Sequence, residues 1–352
     1  MSRELTFARA ILEATDQCMA VNAKVYLMGL GVTDPKGTFG TTLGLEAKYG
    51  SRRVMDMPTS ENAMTGIAIG SAIAGMRPIM THQRVDFALL ALDQILNNAA
   101  KWHYMFGGKT KVPLVIRLVI GRGWGQGPQH SQSLQSVFGH FPGLKVVMPT
   151  TPYDAKGLLA AAIEDDNPVI YLEHRWLHEI VGPVPEERYT VPIGKARIVR
   201  EGRDLTIVST SYMTLEAIRA AERLSQLGIG AEVIDLRTIR PLDETTVIAS
   251  VRKTGRLIVA DLGWKAMGVA AEIVALAAEH AHGFLKQPAK RITFPDSPSP
   301  ASPSLAKHFY PRALHIVTAA KEMFGINDGA DEAAKLDPVL FDVPNPDFRG
   351  PF

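Results

Sequence analysis

Residues 112–121 read "VPLVIRLVIG", a run that is apolar at almost every position rather than at alternate ones. A strand of this kind must be covered on both faces, which happens in parallel sheets flanked by helices. Similar short runs, "KVYLMGLGV", "RPIMTHQRV", "LKVVMP" and "NPVIYLEH", alternate with stretches of helical character. Among the latter are "TSENAMTGIAIGSAIAG", "TPYDAKGLLAAAIED" and "FALLALDQILNNAAKWHYMF", the last read as one long helix. Strand–helix alternation to about residue 175 specifies an open α/β sheet. The proline-bearing stretch "VGPVPEERYTVPIGKARIVREGRD" then reads as a linker, and a second alternation follows from "LTIVSTSY" onward. The expected fold class is therefore α/β, with two open α/β domains over 1–185 and 204–325, joined by a linker at 186–203. Residues 326–352 have little periodicity and many Asp and Pro, so they read as an extended tail that orders only against another subunit.

Charge and cysteine content exclude several function classes. A net charge of +2 in 352 residues gives no electrostatic footprint for nucleic acid or an anionic membrane. No stretch reaches the roughly 18 to 20 apolar residues needed to span a bilayer. Glu4, Glu13 and Asp16 interrupt the first twenty residues, which read as an amphipathic helix and not as a secretion signal. One cysteine, Cys18, excludes a disulfide framework within the chain and fits a reducing cytoplasm.

Chemistry must then be sought locally. "GRGWGQGPQHSQ" places glycines at 121, 123, 125 and 127, just after the buried strand and before His130. The spacing is not the dinucleotide fingerprint, but a glycine loop leaving a parallel strand is well placed to carry a binding residue at the carboxyl edge of the sheet. In "DMPTSENAMTG", Glu61 opens an apolar helix. Two readings stay open: an acid stabilised by the helix dipole, and a carboxylate in low dielectric that shares a proton. His174 and His178 have a chelating spacing but lack a third ligand, and Ser131 beside His130 has no nucleophile elbow around it.

Taken together, "SEN…TGIAIGSAIAGMRPI", "DFALLALDQILNNAAK", "QHSQ", "GLKVVMPTTPYDAKGLLAAAIEDDNPVIYLEH" and "AEVIDLRTIRPLD" resemble the beta subunit of the 2-oxoacid dehydrogenase decarboxylating component, a transketolase-like family. The resemblance runs from the first helix to about Gly325. It implies a thiamine-diphosphate pyrimidine-binding domain followed by a transketolase C-terminal domain. It also implies that Glu61 hydrogen-bonds the aminopyrimidine ring and activates the cofactor, that Phe87 packs on that ring, and that His130 acts in proton and acyl transfer to a lipoyl group. A monovalent cation, commonly potassium, is implied at Leu114, Ala162, Ile163, Asp165 and Asn167.

The GDG…NN pattern that holds the diphosphate and its Mg²⁺ in this superfamily is absent, since Asn97 and Asn98 have no GDG upstream. The resemblance thus implies a separate alpha subunit that supplies this half, an α2β2 heterotetramer built around a beta dimer, and attachment to a lipoyl acyltransferase core. Three features depart from the family: Leu30 where an acid usually follows Gly29, the segment "DLGWKAMGVAAEI", and the added tail. Half of a split transketolase or synthase, and a non-catalytic interaction subunit, are the alternatives.

Overall fold

The computed structural model describes residues 3–123, 125–326 and 343–344. In chain order the strands are β1 (Arg3–Thr6), β2 (Val25–Gly29), β3 (Val54–Met55), β4 (Arg77–His82), β5 (Val115–Ile120), β6 (Lys145–Val147) and β7 (Val169–His174). They continue with β8 (Val181–Val184), β9 (Arg197–Arg200), β10 (Leu205–Ser209), β11 (Ala231–Asp235), β12 (Thr238–Arg240), β13 (Leu257–Trp264) and β14 (Lys290–Phe294). A seven-stranded sheet has the order β12-β6-β7-β5-β4-β2-β3, parallel except for β12. A five-stranded sheet, β14-β13-β10-β11-β9, is parallel except for β9 at its edge. β1 and β8 form a small antiparallel ribbon.

All six residues of β5 and all six of β7 are buried, as the unbroken apolar runs require for strands in the middle of a doubly covered sheet. The Phe7–Val21 helix is capped by Thr6, whose hydroxyl accepts from Arg9 N–H, and packs on the Pro152–Glu164 helix, capped by Thr151. Their shared core continues into the second half of the chain through Trp176, Tyr212 and Tyr310. Trp176 meets Tyr212 edge-on at 5.0 Å.

The structure differs from the sequence reading in three places. The long helix expected over 87–106 is a broken one: a turn at Val85–Ala88, a 3₁₀ turn at Leu89–Ala91, a π-helical stretch at Asp93–Ala99, then Ala100–Met105. Asn97 and Asn98 donate side-chain hydrogen bonds back to the Asp93 carboxylate and carbonyl, competition with the backbone that favours the widened turn. The stretch read as linker contains β9, the antiparallel edge of the second sheet. β12 leaves that half of the chain to pair with β6, so one strand of the second unit closes the first sheet. The Ala313–Phe324 helix ends at Gly325 in the left-handed region (φ 68°), a helix stop at the point where the tail begins. Apart from Ile326, Val343 and Pro344, the extended tail lies outside the described residues.

Candidate active site

The parallel strands all point their carboxyl ends to one edge, and the residues of interest follow directly from it. Glu61 begins the helix Glu61–Ile73 that follows β3 and is only 7% exposed. Its carboxylate has no hydrogen-bond or ion-pair partner among the described residues, which leaves its oxygens free to accept from a group outside the chain. One turn on, Thr65 Oγ1 lies 3.4 Å from His82 Nε2 at the end of β4. Burial pushes His82 down to about 4, so the ring is neutral and puts no positive charge against this helix.

Phe87 follows β4 on the Val85–Ala88 turn, which packs against the Glu61–Ile73 helix. Its ring meets that of His130 edge-on, 5.4 Å between centroids at 89°. Gln132, two residues beyond His130, donates to the Asp86 carboxylate from its side chain at 2.8 Å. The glycine loop is thereby pinned to the end of β4, next to the strand it leaves.

The glycines have a geometric reason. Gly121 has φ 86°, and a β-carbon there would overlap the His174 ring; one on Gly123 would overlap the Arg175 guanidinium. From the other side, Arg122 donates to the carbonyls of Pro300 and Ala301, the latter at 2.9 Å, so a segment of the second unit holds the loop in place. A cavity of about 350 Å³ opens beside it, between Pro128, Gln132, Trp264 and Asp296–Ser299. A larger cavity of about 830 Å³, between His140, Arg240 and the Val269–Ala281 helix, is lined by none of these residues.

Leu30 does not leave its corner without acid. The Asp56 carboxylate, just past the end of β3, accepts the Gly31 N–H at 2.9 Å, while the Leu30 carbonyl accepts from Gln83 at 3.3 Å. Below the edge, Glu173 is fully buried; burial raises its carboxyl, but the Arg117 guanidinium outweighs that and holds it at about 2. Arg117 donates to it at 2.6 and 3.0 Å, and His178 lies 3.2 Å away. His174 is buried and driven down to about 3 by desolvation and by Arg175, and its Nδ1 accepts from Trp176 N–H. The two histidines are thus structural, and among the described residues no group of three or more His, Cys, Asp or Glu side chains could hold a metal ion.

Leu114, Ala162, Ile163, Asp165 and Asn167 come together at the opposite, amino-terminal edge of β5 and β7. The Leu114 carbonyl accepts from Val169 N–H at 2.9 Å, and those of Ile163 and Asp165 accept from Arg77 at 3.0 and 2.9 Å. The Asp165 carboxylate accepts Asn167 N–H at 2.9 Å and pairs with Lys145. Arg77 and Lys145 thus already bring positive charge to this edge, and what remains for a further monovalent cation is the second lone pair of each carbonyl.

Sequence reasoning missed Arg84, Arg175 and His82. Each is a single residue at or just past a strand end, with no motif around it, and only the pairing of β4, β5 and β7 brings them to one edge.

Comparison with known proteins decides the family. The transketolase pyrimidine-binding domain model matches residues 3–179 and the transketolase C-terminal domain model residues 194–316. The acetoin:2,6-dichlorophenolindophenol oxidoreductase beta subunit of Cupriavidus necator is 45% identical over 92% of this chain and 98% of its own length. The mitochondrial pyruvate dehydrogenase E1 beta subunit of Dictyostelium discoideum is 43% identical over 92% of each. This chain belongs to the transketolase-like beta subunits of 2-oxoacid dehydrogenases. Such beta subunits belong to thiamine-diphosphate-dependent oxidoreductases and imply an alpha partner. A solved "Split gene transketolase, inactive beta4 tetramer" superposes with a TM-score of 0.76 at 21% identity, over 92% of this chain and 99% of that one, a likeness of fold. No helix among the described residues is long and apolar enough to cross a membrane.

Proposed function

We propose that this chain is the beta subunit of a thiamine-diphosphate-dependent 2-oxoacid dehydrogenase that, with a separate alpha subunit in an α2β2 heterotetramer, decarboxylates a 2-oxoacid and passes the acyl group to a lipoyl group on an acyltransferase core. The observation that carries the reading is the buried, unpartnered carboxylate of Glu61. A carboxylate held that way has a free acceptor for a ring N–H. When bound, thiamine diphosphate would supply a carbanion nucleophile and an electron sink for decarboxylation.

The remaining steps belong to side chains of this subunit. Glu61 holds the ring-nitrogen proton, Phe87 walls the ring, and His130 moves a proton to or from the oxygen of the substrate's 2-oxo group. The alpha subunit supplies the diphosphate and Mg²⁺ ligands, in keeping with the missing GDG motif. Leu114, Ala162, Ile163, Asp165 and Asn167 hold a potassium ion that braces the sheet's far edge. The domain division at 1–185 and 204–325, with β9 of the intervening stretch joined to the second sheet, accompanies this division of labour, and the single, buried Cys18 fits a cytoplasmic protein.

The test is reconstitution with the alpha partner and Glu61→Gln. Carbon dioxide release should fall about 10²- to 10⁴-fold with the mass of the assembly unchanged. Wild-type turnover by the assembled variant would refute the role of Glu61.

A further inference from the structure

Two arginines stand at the carboxyl edge of the large sheet with too little negative charge to answer them. Arg84 lies two residues past the end of β4, and Arg175 follows β7 at once, with β5 between the two strands. Arg175 is fully buried; its Nη1 reaches Gln126 of the glycine loop and its guanidinium lies 5.7 Å from the Phe39 ring, while its Nε has no partner among the described residues. Arg84 Nη1 is likewise buried and unpartnered. The nearby acid is Asp86, whose Oδ1 already accepts from Gln132. Burial first, and the charge of Arg84 second, bring Arg175 down to about 9.

Buried guanidinium donors left unmet cost free energy, on the order of 1–3 kcal/mol per donor, unless an anion meets them. Guanidinium groups match the planar geometry of a carboxylate. Arg84 immediately precedes the turn that carries Phe87, and Arg175 reaches Gln126 on the loop that carries His130, so an anion held by the pair would lie beside those two side chains.

We propose that Arg84, backed by Arg175, binds a second carboxylate at the far end of the substrate, which makes this subunit selective for 2-oxo dicarboxylic acids. The inference rests on the reading above. The carboxylate that departs as carbon dioxide is a poor candidate for the pair. It loses its charge in the transition state, so two fixed cations on it would stabilise the starting acid more than the transition state and slow the reaction. A carboxylate that survives the reaction is held equally throughout, which lowers KM without that penalty.

The experiment uses the reconstituted complex and two acids of equal chain length, 2-oxoglutarate and 2-oxopentanoate, with Arg84→Met and Arg84→Lys. Wild type should favour 2-oxoglutarate at least tenfold in kcat/KM. Arg84→Met should reduce that preference by about 10²-fold through KM, the scale for removing a charged hydrogen bond, and Arg84→Lys should restore part of it. In parallel, glutarate, but not pentanoate, should raise the melting temperature of wild type and not of Arg84→Met. A preference for 2-oxopentanoate, a ratio that Arg84→Met leaves alone, or stronger stabilisation by inorganic phosphate than by glutarate would overturn the proposal while the reading through Glu61 stood. Carbon dioxide release from neither acid, with Arg84-dependent glutarate binding intact, would sink that reading and keep the anion site. Loss of both would sink both.

Discussion

The Phe87 ring presents its face or edge to His130 at a right angle, 5.4 Å between centroids, joining the end of β4 to the glycine loop that follows β5. An edge-to-face pair of this kind is worth about 0.5–1.5 kcal/mol beyond the area it buries. Phe87 thus helps fix the bearing of the histidine, and under the proposed function it would also wall the cofactor ring. Phe87→Ala should raise the thiamine diphosphate concentration for half-maximal activity by roughly tenfold and lower kcat as well. Measuring both in the reconstituted complex checks this; a change in kcat alone would mean that Phe87 orients His130 without touching the cofactor.

The loop glycines are replaceable only where space allows. Gly121 has both a left-handed backbone and the His174 ring against it, whereas Gly125, also left-handed, has open space around it. Gly121→Ala should cost about 2–3 kcal/mol in unfolding free energy and displace His130. Gly125→Ala should cost about 1 kcal/mol from strain alone. Equal denaturant midpoints for the two variants would show that the His174 contact is not rigid.

How much of this could be read from the sequence depends on whether the signal was local. The unbroken run 112–121 announced β5, and the motifs around Glu61, Phe87 and His130 carried their family resemblance in adjacent residues. Arg84 and Arg175 carry no such signal: they stand some ninety residues apart in the sequence, and their meaning comes from the parallel register that aligns Leu118 with His82 and His174 with Ile120. The break in the 87–106 helix was hidden for a different reason, because its apolar spacing is helical and the widening comes from Asn97 and Asn98 bonding back to Asp93. β12 is three residues long and pairs across the two units, so no periodicity within its own half could place it.

The Arg117–Glu173 pair is a structural anchor beneath the site. Both side chains are essentially without exposure, and Arg117 also donates to Thr41 at 2.8 Å. Glu173→Gln leaves a buried guanidinium without its counter-charge and should cost about 3–5 kcal/mol. The depressed carboxyl sets the pH window. Its contribution is fully present above the unfolded value of 4.5 and is lost as pH falls toward about 2. Wild type should lose stability through that range more steeply than Glu173→Gln, as read by urea midpoints across pH.

His82 supplies pH dependence of the same sign at the site itself, over a higher pH range. It is buried beside Thr65, with burial the cause that brings it to about 4, while an unfolded histidine titrates near 6.5. Between those two values the unfolded chain binds a proton that the folded chain refuses. Stability is therefore complete above pH 6.5 and drains away as pH falls toward 4, by on the order of 3 kcal/mol if His82 acted alone. His174, held at about 3, adds a loss of the same sign over the same range. His82→Gln keeps a polar group near Thr65 without a titrating ring, so its unfolding free energy should fall less between pH 6.5 and 4 than that of wild type. Because Thr65 shares a helix face with Glu61, the same variant should also shift the acid limb of the kcat/KM profile in the reconstituted complex; parallel stability curves for the two proteins would show that the His82 ring takes up its proton without unfolding the helix.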